Sequence, residues 1–485
     1  MKALDQLNYC HTYADLGSTF GTTLYPSALQ FPYLIHVNHS LASQLGIDMA
    51  SSNNDDLTAL LSGQSILEQW QPTAMKYTGH QFGQYNPDLG DGRGLLLTEI
   101  IDSNNQKWDF HLKGSGLTPY SRQGDGRAVI RSSVREYLIS AAMQGLGIAT
   151  TQALAILGSG TKVQREQVEF AATLLRVAPS HIRFGHFEYL FYSGQHQQLK
   201  ELADYVIQWH MPSIEDTQDK YPQFFQQVVS LTATMIAKWH AYGFCHGVMN
   251  TDNMSILGLT FDYGPFAFLD SYNPKYICNH SDYSGRYAFD KQPGIAQWNL
   301  SALGYALSNL IDKDQLEQSL ADYPTLLQSE YRQLMKARFG LQSDQPGDPE
   351  LISEALSLME KLELDFHHTL RLLSETECTL WSAPLTNQLD KPTFKHWLLR
   401  YKTRLEMDYN DDQLRQKAMQ SVNPKYILRT HLAQEAIELV EKGDFAVIEK
   451  WMEVLANPFI THHCDEHWSL PPSNDQKGLC LSCSS

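Results

Sequence analysis

Residues 246–253 read His-Gly-Val-Met-Asn-Thr-Asp-Asn, and Asp262-Tyr263-Gly264 begins nine positions further on. This stretch decides how the chain is read. An amide oxygen at Asn253 and a carboxylate at Asp262 are hard donors suited to Mg²⁺ or Mn²⁺. Two places after His246, where such a loop would need an Asp to accept a proton, stands Val248. Valine cannot accept one. The stretch keeps a pair of metal ligands and lacks the base between them.

Upstream, Gly-Asp-Gly-Arg occurs at 90–93 and again at 124–127. The first copy lies between Asp88-Leu89 and the apolar run Leu95-Leu96-Leu97, which predicts strand, tight turn, strand. Ser103-Asn104-Asn105 marks a hairpin turn. Beyond it Trp108, Phe110 and Leu112 alternate with Asp109, His111 and Lys113, so Lys113 is expected on the face opposite the apolar one. The second copy precedes a helix with Val134, Tyr137, Leu138, Ala141 and Ala142 on one stripe and Glu136 off it, closing near Gly145 and Gly147. The order glycine turn, Lys, Glu, His…Asn, Asp-x-Gly looks like that of a protein kinase, which reads H-R-D-x-x-x-x-N and then D-F-G. On that reading Gly90 and Gly92 cradle phosphates, Lys113 neutralises them and Glu136 orients Lys113. The plain alternative is a β-hairpin with a surface lysine and a solvated glutamate. Each signal alone favours the plain alternative; their shared order favours the kinase-like one.

Residues 231–242 predict a helix stopped by Gly243, and a short strand pair is expected around Ile256-Leu257 and Phe261. Residues 298–310 read as a buried helix. The polar break at 342–350 (QSDQPGDPE) is followed by helical patterns at 351–364 and 431–442. The expected architecture is α+β: a kinase-like two-lobe fold with an α-helical C-terminal extension. Residues 1–183 would form the N-terminal segment and β-rich small lobe, 184–341 the large lobe with the catalytic loop, and 342–485 the extension.

The 485 residues carry a formal net charge of −17, which disfavours nucleic acid as a main partner. No apolar run approaches the roughly 20 residues needed to span a bilayer. The start has no apolar leader, and it carries Asp5 and Asp15 without an Arg. Seven scattered cysteines point to a reducing compartment rather than a disulfide framework. A cytoplasmic protein with neither a nucleic-acid nor a membrane partner is expected.

Longer strings narrow the reading. LGDGRG (89–94), HLKGSG (111–116), SRQGDGRAVIRSSVREYL (121–138), HGVMNTDN (246–253), FDYGPF (261–266) and the ending CLSCSS (480–485) resemble the selenoprotein O family over essentially the whole chain. The resemblance implies a pseudokinase that moves AMP instead of phosphate. It would bind ATP in an orientation flipped relative to kinases, with Mg²⁺ or Mn²⁺, and attach AMP to Ser, Thr or Tyr hydroxyls of protein substrates. By resemblance, Gly90, Gly92, Arg93 and Lys113 contact nucleotide, as do Asp125 and Gly126, at its adenine or ribose end. Arg176 and Arg183 fall at phosphate-binding positions, where forked guanidinium groups suit phosphate oxygens. Asn253 and Asp262 hold the metal. Asp252 is proposed in the family as proton acceptor, and support of the metal loop is its other possible role.

The resemblance also implies a redox bond between Cys278 and Cys483, the latter standing where vertebrate members carry selenocysteine. Cys10, Cys245 and Cys378 read as inert core thiols. A zinc site drawn from His462, His463, Cys464, His467, Cys480 and Cys483 is the competing reading of the tail. For the activity, the competing readings are a kinase, UMP transfer from UTP with Mn²⁺, and an inactive nucleotide-binding scaffold.

Overall fold

The computed structural model describes residues 1–49, 53–214, 219–382 and 392–478. Among these, nine strands form one antiparallel sheet. Its path runs Gly21–Thr23, Thr73–Met75, Gly94–Ile101, Lys107–Lys113, Val168–Ala178, Gln152–Gln164 and Tyr33–Val37. The predicted hairpin lies near its centre, pairing Ile101 with Lys107 and Gly94 with Lys113. Asn105 turns it at φ 59°, a left-handed conformation that Asn tolerates better than most residues.

Side-chain alternation divides the sheet between two cores. Leu95, Leu97, Phe110, Leu112, Leu175 and Val177 pack on one face with Leu41, Leu57 and Leu61 from the helices His39–Gln44 and Asn54–Leu61. Leu96, Ile156 and Leu174 face the other way, into a core shared with Val134, Tyr137 and Leu138 of the helix Ile130–Gly145. Lys113 shares that second face, as the alternation predicts. It is buried there, at 5 % exposure, and Glu136 is buried at 2 %. The solvated lysine and glutamate of the plain hairpin reading are thereby excluded.

The helix Ile130–Gly145 is enclosed because the helices Thr430–Glu441 and Ala446–Ala456 pack against it. The approach is close enough that a Cβ on Gly145 would lie 1.8 Å from the Leu455 carbonyl oxygen.

Three local expectations need correction. The helix predicted at 231–242 runs Lys220–Ala241, because Phe224, Phe225, Val228 and Val229 continue its buried stripe. The helix predicted at 298–310 is Gln292–Ala306, and Trp298 and Tyr305 face outward at 37 % and 59 % exposure while Leu300 and Leu303 are buried. There is no strand pair at 256–261: Ser255 and Thr260 make isolated bridges to Arg183 and Thr150. The strands here are Phe244–Cys245 and Ala267–Phe268, which pair with each other on either side of the loop 246–253.

Beyond residue 342 the described chain is helical, as expected, beginning with Asp348–Lys361. The polar break itself is pinned: Arg404 donates to the Ser343 carbonyl (2.9 Å) and to Asp348 (2.6 Å). Phe339, Met359, Trp397 and Tyr401 belong to the same core as Trp239 and Phe268. No described helix is long and apolar enough to cross a membrane.

Candidate active site

A cleft of about 610 Å³ separates the sheet from the loop 246–253. Gly90, Gly92, Arg93, Lys113, Asp125, Gly126, Arg176, Arg183, Asp252, Asn253 and Asp262 all line it. Val248 lines it too, so the missing base leaves an apolar wall there.

The loop is fixed from beneath. His246 stacks on Trp239 with ring centroids 5.3 Å apart. Its Nε2 lies 3.0 Å from the Phe261 carbonyl, and its Nδ1 accepts from the Val248 N–H at 3.3 Å. These partners fix the Nε2–H tautomer. One imidazole thus ties residue 248 to the residue before Asp262. Asn253 donates through Nδ2 to the Val248 carbonyl at 3.0 Å, which leaves its Oδ1 available for a cation. Asp262 itself takes φ 58°, a conformation that costs an Asp little and turns its carboxylate inward.

The cations form a chain. Glu136 receives Lys113 on Oε2 and Arg176 Nε on Oε1, the latter at 2.5 Å. Arg176 reaches on to Asp262 Oδ1 at 2.8 Å, and Arg183 holds Asp262 Oδ2. Arg183 is sandwiched between the rings of Tyr77 and Phe261, 4.6 Å from each, and donates to the Asp252 carbonyl at 2.7 Å. Burial pushes the Asp262 pKa up, but Arg183, Arg176 and Lys113 outweigh it and hold it well below the usual range. Burial lowers Lys113 to about 8 against the pull of Glu136. Asp252 differs: burial raises it to about 7, opposed by Arg183 and by a hydrogen bond from Gln81. Its Oδ2 accepts from Gln81 at 3.2 Å, while its Oδ1 is buried without a hydrogen-bond partner.

The glycine turn is shaped by close packing. A Cβ on Gly90, at φ 142°, would lie 2.6 Å from the Tyr120 ring, and one on Gly94 would lie 2.4 Å from His111. The strand entering the turn is Gln84–Asn86. It belongs to a separate two-stranded hairpin with Gly79–Gln81, not to the main sheet. Asp91 anchors the turn by accepting from the Met75 N–H (3.1 Å) and pairing with His111 Nε2 (2.9 Å). Asp125 lies on the cleft wall with its carboxylate held by Arg165 at 2.8 Å.

Sequence reading passed over Asp91, His111 and the hairpin 79–86. Asp91 and His111 sit inside strings already singled out, and strand alternation places His111 beside Lys113. The hairpin carries no comparable signal. It nevertheless touches the loop 246–253 at three points: His80 N to Thr251 Oγ1 (2.7 Å), Gln81 to Asp252, and Phe82 N to Asn250 Oδ1 (3.3 Å).

The residues fit a divalent cation. The Asn253 Oδ1 and the Asp262 carboxylate are hard donors on residues that line one cleft. Among the described residues no cluster of three or more His, Cys, Asp or Glu could hold a metal alone. A cation here would share its coordination with phosphate and water, as Mg²⁺ commonly does.

Cys278 is buried, with its Sγ 3.5 Å from Cys245 Sγ, and a Cβ on Gly247 would meet that Sγ at 2.6 Å. Its expected partner, Cys483, lies outside the described residues, as does Cys480. The described cysteines are all free. Cys245 is buried as expected, but Cys10 and Cys378 are only half-buried. Burial raises these two thiols to about 11 and about 12, which keeps them protonated and unreactive. Two of the tail histidines are engaged elsewhere: His462 with the Asn457 carbonyl and His467 with Glu435.

Residues 3–456 match the sequence model of the family described as "Protein adenylyltransferase SelO". The chain is 51 % identical over 491 residues to the protein nucleotidyltransferase YdiU of Vibrio cholerae, and 50 % identical over 514 residues to that of Photobacterium profundum. It is 46 % identical over 486 residues to that of Pseudomonas aeruginosa strain LESB58. Each alignment covers the full length of both chains. With the family model matched across almost the whole sequence, this chain is a member of the SelO family.

Proposed function

We propose that this protein transfers AMP from ATP to Ser, Thr or Tyr hydroxyls of other proteins and releases pyrophosphate. The observation that carries the reading is the division of labour in one cleft. Lys113, Arg176 and Arg183 converge where Asp262 sits, Val248 removes the kinase base, and Asp252 offers a buried, unpaired oxygen beside them.

On this reading the chain acts as a kinase-like two-lobe enzyme, with the small lobe over 1–183, the large lobe over 184–341 and a helical extension after it. Lys113, Arg176 and Arg183 stabilise charge on the β- and γ-phosphates as the bond from the α-phosphorus to the bridging oxygen breaks. Gly90, Gly92 and Arg93 hold the phosphate chain, and Asp125 and Gly126 bound the nucleoside end. Mg²⁺ or Mn²⁺ on Asn253 and Asp262 would screen the phosphate charge and align the leaving group. The acceptor oxygen attacks the α-phosphorus, and its proton passes to the Asp252 carboxylate. Glu136 keeps Lys113 and Arg176 in place throughout. Asp262 is already clasped by two arginines, so nucleotide and metal binding redistributes those guanidinium groups onto phosphate.

Incubation with α-labelled and, separately, γ-labelled ATP tests the reading. Covalent label on protein is expected from the α position alone. Label from the γ position alone would make the protein a kinase and overturn the proposal.

A further inference from the structure

The hairpin 79–86 does more than brace the catalytic loop: its far side builds an exposed aromatic shelf beside Asp252. Phe82, which lines the cleft, contacts Tyr287 with ring centroids 5.1 Å apart. Next to it Tyr85 packs on Tyr192 at 4.3 Å, and Tyr192 on Tyr305 at 6.4 Å. Phe82, Tyr192 and Tyr305 are 43 %, 45 % and 59 % exposed. Single exposed aromatics are ordinary, but rings in mutual contact at the mouth of a cleft mark an interaction surface.

The shelf carries one cation. Arg286 lies 5.1 Å over the Trp298 ring and 5.8 Å from Tyr287. Gly83 pins it, since a Cβ there would lie 3.3 Å from its Cζ, and its Nε is buried without a hydrogen-bond partner. Among the described residues it makes no ion pair. Asp282, four residues before it, is occupied by the Arg286 and Tyr287 N–H groups at 3.0 and 2.7 Å. A guanidinium lying over aromatic rings without a carboxylate partner is suited to receive one.

We propose that this shelf docks the acceptor protein. An extended segment would lay an apolar or aromatic side chain on the Tyr85–Tyr192–Tyr305 rings and a carboxylate on Arg286, bringing a neighbouring hydroxyl to Asp252. The proposal rests on the transferase reading above. Continuity with the cleft favours this occupant, because a macromolecular acceptor must cover the surface next to Asp252 to react there. A lone arginine on a chain of net charge −17 does not suit an anionic membrane, which calls for clustered basic residues.

Two fluorescent peptides provide the probe. Both carry a central Thr and a Phe; one has Glu beside the Phe, the other Lys. Anisotropy titrations without nucleotide should show the Glu peptide binding about tenfold more tightly. Arg286→Glu should reverse that order, a rescue that misfolding cannot mimic. Tyr305→Ala should weaken both peptides while the affinity for ATP stays unchanged. Equal binding of the two peptides, or an unchanged order in Arg286→Glu, would overturn the proposal. So would a dimer, seen by sedimentation, that Tyr305→Ala dissolves, since the shelf would then belong to a second copy. Because binding is read without transfer, a missing α-label would sink the transferase reading alone.

Discussion

Removing the Glu136 carboxylate should expose how strained the cationic cluster is. Glu136 is buried and receives both Lys113 and Arg176. Burial pushes its pKa up, but Arg176 and Lys113 outweigh burial and keep it ionised. In Glu136→Ala the two partners respond differently. Lys113, already lowered to about 8, can shed its proton, so at pH 7 its share of the loss is capped near one pKa unit, about 1.4 kcal/mol. Arg176 cannot deprotonate and keeps only Asp262, at 2.8 Å. Breaking a buried pair from one side costs about 3–5 kcal/mol, and a loss in that range is expected for the nucleotide-free protein. Adding Lys113→Met to Glu136→Ala should restore about 1 kcal/mol, because it removes the stranded amine. Urea unfolding at pH 7, followed by tryptophan fluorescence, measures both effects. A loss under about 1 kcal/mol for Glu136→Ala is what a solvated pair would give, and it would refute the buried-cluster account.

Further outcomes follow from the same geometry. Asp262→Ala should abolish transfer, and Lys113→Ala nearly so, by radiolabel assay; near-normal activity in either would move the chemistry elsewhere. Stability should fall on acidification, because burial lowers His181 and His240 to about 4 and His186 and His210 to about 3. These groups bind protons more weakly folded than unfolded, so their contribution is complete above the unfolded pKa near 6.5 and is lost as pH drops towards 4. At pH 5 each costs about 2 kcal/mol, and melting temperatures that are flat from pH 7 to pH 5 would contradict the burial. A Cys278–Cys483 bond remains a proposal. It would close a loop worth on the order of 5 kcal/mol of chain entropy and tether the tail to the cysteine packed under Gly247. Oxidation should therefore raise the unfolding midpoint as well as alter transfer rates, and peptide mapping that finds Cys480–Cys483 instead would defeat the idea.

What the sequence alone determined was local and periodic. Two-residue alternation placed Lys113 opposite Leu112, helical spacing set the stripe of Ile130–Gly145, and the interval from His246 to Asn253 marked the loop that lines the cleft. The long shared strings were enough to identify the family. Boundaries slipped where local signals end, as when Phe224 and Val228 carried the helix before residue 231 back to Lys220. Trp298 and Tyr305 turned outward for a related reason: hydrophobicity marks a helix but does not say which of its faces meets a neighbour.

Only the tertiary structure decided that Lys113 and Glu136 are buried, because the fold closes the helix that bears Glu136 onto the strands that carry Lys113 and Arg176. The same holds for the clasp of Arg176 and Arg183 on Asp262, and for the hairpin 79–86 that touches Asp252. Burial and charge pairing depend on what surrounds a side chain in space, and segments distant in sequence supply those surroundings.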